Sequence, residues 1–284
     1  MNDGDRFDVD WLSLRGPADA AARDGVLLRR AIDVLLPPGD VPPGDGGSKP
    51  LIVDLGCGSG ATFRALGPHA PTRALWRFVD HDAALLSAAA RAARARGADV
   101  EILRADLSDP AALAQALDPD LALEEAGRSG PVLVAASAFL DLVSEAWLDA
   151  FVARLPQRAA VYIALSYTGG EAWEPPHPDD AAVLQAFHRH QGGVKSFGTA
   201  LGPTAADALV QKLRAGGWSV ETAESVWRLS REAHGALIDA HATGVAQAAA
   251  EAGVAVDLDA WRAARLASQS ASVRHLDLFA RRPD

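Results

Sequence analysis

From Leu51 onward the chain alternates between short apolar runs and longer stretches in which apolar residues recur at helical spacing. The runs Leu51–Leu55, Leu75–Val79, Val100–Leu103, Val132–Ala136 and Ala160–Leu165 read as buried strands. Between them lie helical patterns, notably the alanine-rich Ala83–Arg96 and Ala111–Leu117. Such alternation implies an α/β fold, a mostly parallel sheet with helices on both faces. A sixth strand is expected near Trp218–Thr222 and a last one at Val273–Arg282, seven in all. Upstream, Pro17 suits a helix start, and Ala21, Leu27, Leu28, Ile32 and Leu35 mark one amphipathic helix from Ala18 to Leu36.

Two stretches break the alternation. Pro37–Pro50 is rich in Pro and Gly and reads as a connector, and Asp118–Gly130 reads as a polar loop with helical character in LALEEAG. The expected division is residues 1–50 as an N-terminal helical cap and connector, then 51–284 as the main domain. Insertions near 166–203 and 229–271 interrupt that domain. The second holds helical patterns over Arg231–Ala252 and Leu258–Ala267.

Composition narrows the function. With 27 Lys+Arg against 37 Asp+Glu the net charge is −10, and no basic block is long enough to follow a phosphate backbone. A nucleic-acid partner is therefore not expected. Cys57 is the single cysteine, which rules out an intramolecular disulfide and a cysteine-based metal site. The acidic, polar beginning MNDGDRFDVDW is unlike a secretion signal, and no run approaches the roughly 20 apolar residues that span a bilayer. A cytoplasmic protein without a membrane partner is the expectation.

The candidate chemistry centres on VDLGCGSG, Val53–Gly60, where a strand passes into a glycine-rich turn and a new helical pattern. Glycines at 56, 58 and 60 permit positive φ and leave no Cβ between the backbone and a nucleotide-like ligand. Gly56 to Ala61 also satisfies the G-x-G-x-x-G/A fingerprint of dinucleotide enzymes, so an NAD-type oxidoreductase stays open. Asp54 completes a D-x-G-x-G-x-G pattern, WRFVDHD ends the second strand at Asp80 and His81, and VEILRADLSD places Asp106 and Leu107 after the third. In these three elements the sequence resembles the class I, Rossmann-like S-adenosylmethionine-dependent methyltransferases, over about Leu51–Leu165.

The resemblance implies a seven-stranded sheet whose last strand is antiparallel and inserts between strands five and six, with both insertions forming a helical lid on the edge of the glycine turn. It implies S-adenosylmethionine as cofactor, with Asp54, Gly56, Cys57, Gly58 and Gly60 at its amino-acid part. Asp80 and His81 would lie at the ribose, Asp106 and Leu107 at adenine, and Ser137 beside the transfer site with Phe139 and Asp141. The segment before the glycine turn would cover the cofactor, bringing Trp11 and Arg15 toward the site. The chain reads Ala-Ser-Ala-Phe after strand four, where methyltransferases of nucleic-acid bases often carry N/D-P-P-Y/F. The expected activity is methyl transfer to oxygen or nitrogen of a planar or polar small molecule. A non-catalytic cofactor-binding relative and a homodimeric assembly both stay open.

For a general base the densest ionisable set is His177, Asp179, Asp180, His188 and His190, with Tyr167 nearby. Histidine titrates near neutrality, so His188, His190, Asp180 and Tyr167 are the candidate catalytic residues. Their spacing matches no metal-ligand template, and no metal is expected. Lys195 and Tyr167 are candidates to hold the substrate, and Trp173, Trp227 and Trp261 to stack on it.

Overall fold

The computed structural model describes residues 9–36, 49–119 and 129–283. The LALEEAG stretch, for which helical character was expected, and most of the Pro/Gly connector lie outside them. After two N-terminal helices, α1 (Val9–Ala22) and α2 (Gly25–Asp33), the chain runs β1 (Lys49–Leu55), α3 (Ala61–Leu66), β2 (Leu75–Asp80), α4 (Ala83–Arg94), β3 (Asp99–Arg104), α5 (Pro110–Leu117) and β4 (Ser129–Ser137). It continues through α6 (Glu145–Arg154), β5 (Ala159–Glu174), α7 (Asp180–Gln191), α8 (Ala205–Ala215), β6 (Ser219–Ser230), α9 (Arg231–Glu251), α10 (Leu258–Leu266) and β7 (Ser270–Arg281). A hairpin of two-residue strands, Val194–Lys195 and Gly198–Thr199, stands apart from the sheet.

The sheet order is β3-β2-β1-β4-β5-β7-β6. Pairings among β1 to β5 are parallel, and β7 runs antiparallel between β5 and β6. This is the Rossmann-like seven-stranded sheet, mostly parallel, with an antiparallel last strand. Its order reverses at β1 and β4, and open α/β sheets bind ligands beyond the carboxyl ends of their strands at such a point. Alternate residues of β1 feed two cores. Leu51, Val53 and Leu55 pack on the α5, α6 and α8 face, and Ile52 packs with Phe63, Leu86 and Ala90 on the α3 and α4 face.

Aspartates start several helices. Asp24, Asp82 and Asp109 each accept backbone N–H groups of the first turn, filling donors that a helix leaves unsatisfied. The cap at Asp24 divides the one N-terminal helix expected from periodicity into two, α1 ending at Ala22 and α2 starting at Gly25. Pro17 lies inside α1 rather than at a helix start. Asp277 on β7 reinforces the break, since its Oδ2 accepts the Asp24 N–H at 2.9 Å. Among the described residues no helix is long and apolar enough to cross a membrane.

The largest departure from expectation is β5. It continues through Ser166–Glu174, the first part of the 166–203 insertion, and pairs with β7 as far as Glu174↔Ser270. The outer halves of β5, β6 and β7 support a third apolar core, with Trp173, Val183, Trp227, Ile238, Val245 and Trp261 buried in it. Helices α7, α9 and α10 close this lobe, and α1 joins it through Trp11 and Ala18.

Candidate functional site

A cavity of about 410 Å³ opens at the carboxyl ends of β1 to β4. Its floor is the turn after β1, where Gly56, Cys57 and Gly58 line it. Asp80 and His81 at the end of β2, Asp106 and Leu107 after β3, and Ser137, Ala138 and Phe139 at the end of β4 form its sides. The roof comes from elsewhere: Leu12, Arg15 and Asp19 of α1, and Lys195, Ser196 and Phe197 of the hairpin. Nothing from 229–271 lines it, so of the two expected lid insertions the first contributes the hairpin and the second packs in the lobe.

The turn is fixed by its own hydrogen bonds. Asp80 Oδ2 accepts the Gly58 N–H at 2.8 Å and Oδ1 accepts the Asp82 N–H at 3.0 Å, which ties the end of β2 to the glycine turn. Each carboxylate oxygen carries two lone-pair sites, so both retain capacity toward the cavity. Gly56 takes φ +60°, and a Cβ there would lie 2.7 Å from Cδ2 of Phe139. Gly56→Ala is therefore expected to cost about 1–2 kcal/mol in backbone strain alone. It should also push Phe139 out of the cavity wall, lowering the urea midpoint and ligand affinity together. Ala138 also sits at positive φ, 51°, a rare conformation for a residue with a Cβ. It turns the chain out of β4 so that three successive residues line the cavity. Strain of this kind, held by the Ala138 N–H to Ala164 O bond of 2.9 Å, is stored where a site is being shaped.

Two of the sequence candidates stand behind the wall. Gly60 starts α3 and lies against Ala89, and Asp54 is fully buried without lining the cavity. Neither oxygen of Asp54 has a hydrogen-bond partner among the described residues. Burial pushes its carboxyl up to about 7, an effect that Thr62 and the charge of Arg23 offset only in part. Beside it Ser137 Oγ takes a hydrogen bond from Arg23 Nη2 at 2.9 Å and shares another with Thr62 Oγ1 at 2.9 Å. Cys57 is buried, and burial with the nearby carboxylates of Asp54 and Asp80 drives its thiol well above the usual range. It serves as a small wall residue.

The four residues expected to catalyse do not line the cavity. Tyr167 is buried in the third core, where its hydroxyl donates to Glu171 Oε1 at 3.0 Å and meets His188 Nε2 at 3.0 Å. Burial, and then the Glu171 charge, raise the Tyr167 phenol far above its ordinary value, so it is no base at neutral pH. Burial lowers His188, against the pull of Glu171. Asp180 accepts the Trp261 indole N–H at 2.8 Å and the His177 N–H at 2.8 Å, fastening α7 to α10. His190 reaches Glu251 at 2.8 Å on the surface. The ionisable cluster thus closes the lobe. Of the four catalytic candidates only Tyr167 and His188 come together, and the tryptophans 173, 227 and 261 are core residues there.

Glu171 and His241 carry a buried contact that periodicity did not signal. Glu171 Oε2 lies 3.2 Å from His241 Nε2, and the His241 ring stacks between Trp11 and Trp173 at centroid distances of 6.4 and 5.7 Å. Burial would raise the Glu171 carboxyl, but His241 and the Tyr167 hydrogen bond outweigh it and hold it below its ordinary value. Because Trp11 precedes Leu12 on α1, this stack fixes the helix that roofs the cavity. Arg15 was legible as facing the site, whereas Leu12, Asp19, Leu142 and Phe197 were not. Phe197, beside Lys195 and Gly198 in a polar insertion, was the available signal for the hairpin.

Among solved structures, the chain is similar to geranyl diphosphate methyltransferase in complex with SAM, at 13% identity over 98% of this chain and 93% of that one, TM-score 0.43. It is also similar to coclaurine N-methyltransferase bound to N-methylheliamine and SAH, at 14% identity over 90% and 72%, TM-score 0.40. A cyclopropane-fatty-acyl-phospholipid synthase-like protein from Lactobacillus casei matches at 16% identity over 95% and 98%, TM-score 0.44. No family model and no curated protein sequence matches the chain. The fold assignment rests on the sheet order and register given above.

Proposed function

We propose that the chain transfers a methyl group from S-adenosylmethionine to oxygen or nitrogen of a small molecule. The observation that carries this reading is convergence. The glycine turn, Asp80, and Asp106 with Leu107 are separate in sequence, yet all line one cavity at the point where the strand order reverses. Gly56 and Gly58 would admit the amino-acid part of the cofactor, and the remaining lone pairs of Asp80 would accept the ribose hydroxyls. Asp106, whose Oδ1 is occupied by the Ser108 N–H at 2.9 Å and hydroxyl at 2.7 Å, would present Oδ2 near adenine, with Leu107 against its face.

When bound, the cofactor supplies an electrophilic methyl group on a sulfonium. The protein's part is to hold a nucleophile in line with it, and such positioning is worth roughly 7–11 kcal/mol. Leu12, Phe139, Leu142 and Phe197 would exclude water from the acceptor side, which favours a reaction that disperses charge. Since the Tyr167 and His188 pair faces the lobe, the reaction would run by positioning and desolvation without a base from that cluster.

Isothermal titration with S-adenosylmethionine, S-adenosylhomocysteine and NAD in parallel, repeated on Asp106→Ala, tests the reading. Both sulfur compounds should bind, and the substitution should weaken them by roughly tenfold, the loss of about one charge-assisted hydrogen bond. NAD binding alone, or no binding of the sulfur compounds, would overturn it.

A further inference from the structure

Charge is segregated within the cavity. The carboxylates of Asp80, Asp82 and Asp106 stand at the ends of β2 and β3 and just beyond them, whereas Arg15 and Lys195 enter from the roof, beside Phe139, Leu142 and Phe197. A third cation, Arg64, is turned to the Ser59 carbonyl at 2.7 Å.

Arg15 is held in one orientation. Its Nε and Nη2 donate to Asp19 at 2.9 and 3.2 Å, and the guanidinium lies 5.1 Å from the Trp227 ring centroid. The Trp227 indole N–H returns to Asp19 Oδ1 at 3.0 Å, closing the set. This occupies one edge of the planar fork and leaves Nη1 without a hydrogen bond among the described residues. A guanidinium so fixed has a second edge ready for a carboxylate or phosphate. Its charge also reaches the apolar wall: burial raises the carboxyl of Asp141, next to Leu142, and Arg15 counters that rise. Lys195 is half-buried on the hairpin two residues before Phe197, and its ammonium makes no hydrogen bond or ion pair among the described residues. Its charge has a weak counterpart in exposed Glu251, which is held low mainly by Gln247 and His190.

We propose that the acceptor is an anion with an apolar, flat body, its carboxylate or phosphate paired with Arg15 and Lys195 and its body against Phe139, Leu142 and Phe197. This rests on the methyl-transfer reading, because a sulfonium donor adds a positive charge to a space whose roof carries Arg15, paired with Asp19, and Lys195, whose ammonium has no ion-pair partner among the described residues, while the carboxylates of Asp80, Asp82 and Asp106 stand at the ends of β2 and β3. Charges of one sign brought together away from water repel strongly, and an anionic acceptor balances them. The acceptor's nucleophilic atom forms the bond to the methyl carbon as the carbon–sulfur bond breaks. The electron pair of that bond stays on sulfur, which leaves as a neutral thioether, and any proton on the nucleophile departs to solvent.

The test is titration of the protein saturated with S-adenosylhomocysteine, using 2-naphthoate, 2-naphthyl phosphate and the neutral 2-naphthamide as probes. One of the two anions should bind at least about tenfold more tightly than the amide, and which one identifies the anionic group. Arg15→Gln and Lys195→Gln should each weaken the anion by roughly fivefold or more, while Arg15→Lys, which keeps the charge, recovers part of the loss. Affinity for S-adenosylhomocysteine should stay within about twofold in Lys195→Gln, a hairpin substitution outside the core. Equal binding of amide and anions, or no binding of either anion, overturns the proposal. So does a loss of S-adenosylhomocysteine affinity in Arg15→Gln that Arg15→Lys restores, which would assign Arg15 to the cofactor's own carboxylate. Failure of the wild-type protein to bind S-adenosylhomocysteine at all appears in the first titration, before any probe is added, and strikes the underlying reading instead.

Discussion

Asp80→Ala should abolish measurable binding of S-adenosylmethionine and S-adenosylhomocysteine while the protein still folds. Two losses combine. The substitution removes the acceptor for the Gly58 and Asp82 N–H groups, which lie 2.8 and 3.0 Å from the carboxylate, so the glycine turn loses the tie that sets its shape. It also removes the lone pairs proposed to accept the ribose hydroxyls. Hydrogen bonds to a charged group are worth about 1.5–3 kcal/mol each, so two of them together correspond to roughly a hundredfold or more in affinity. Asp80→Asn separates the two effects, because its amide oxygen can still accept the Gly58 N–H but carries no charge. That variant should fall between the wild type and Asp80→Ala in calorimetry, with a thermal midpoint nearer the wild type. Retention of S-adenosylhomocysteine affinity within threefold in a folded Asp80→Ala protein would remove Asp80 from the site.

The sheet and the glycine-turn side of the cavity were legible because both depend on short-range pattern. Buried parallel strands are continuous apolar runs, and the turn after β1 carries its glycines as a fixed spacing. The outer half of β5 obeys neither rule. Its register shifts between Ile163 and Ser166 and again between Tyr167 and Glu171, and each shift resets the inward and outward alternation by which a strand is recognised. Leu165 at φ 58° marks the first of these, held by the Asp277 carboxylate through a 2.7 Å bond to its N–H. Such a strand exists because β7 pairs with it, and that pairing is invisible locally. The same reasoning explains the misplaced base. His177 to His190 are dense in sequence because α7 has to be tied at both ends, to α10 by Asp180 and to the end of α9 by His190. Crowding of ionisable residues along a chain reports what one helix needs, whereas a catalytic constellation assembles from several strand ends. Arg23 illustrates the converse. Nothing around it in sequence sets it apart, yet it reaches Ser137 across the sheet.

Asp54→Asn should make the protein more stable in alkali than in acid relative to the wild type. The Asp54 carboxyl is fully buried with no hydrogen-bond partner on either oxygen among the described residues, and burial lifts it from 3.8 to about 7. A carboxyl whose folded-state value is raised favours folding in its protonated form. That contribution is complete below the unfolded value near 4, is lost progressively as pH rises toward 7, and changes no further above it. The whole shift is on the order of 4 kcal/mol, and the part falling between pH 5 and pH 8 is about 2.5 kcal/mol. Asparagine keeps the shape without the ionisation, so the stability difference between variant and wild type, from urea unfolding, should grow in the variant's favour by about that amount from pH 5 to pH 8. Parallel pH profiles for the two proteins would mean that Asp54 is ionised throughout, with its charge stabilised by Arg23. A rise confined to the expected window would instead show that the turn is built over a neutral carboxylic acid near pH 6. The Asp80 tie and the backbone amides of the glycine turn would then be left to define the polarity that a ligand meets.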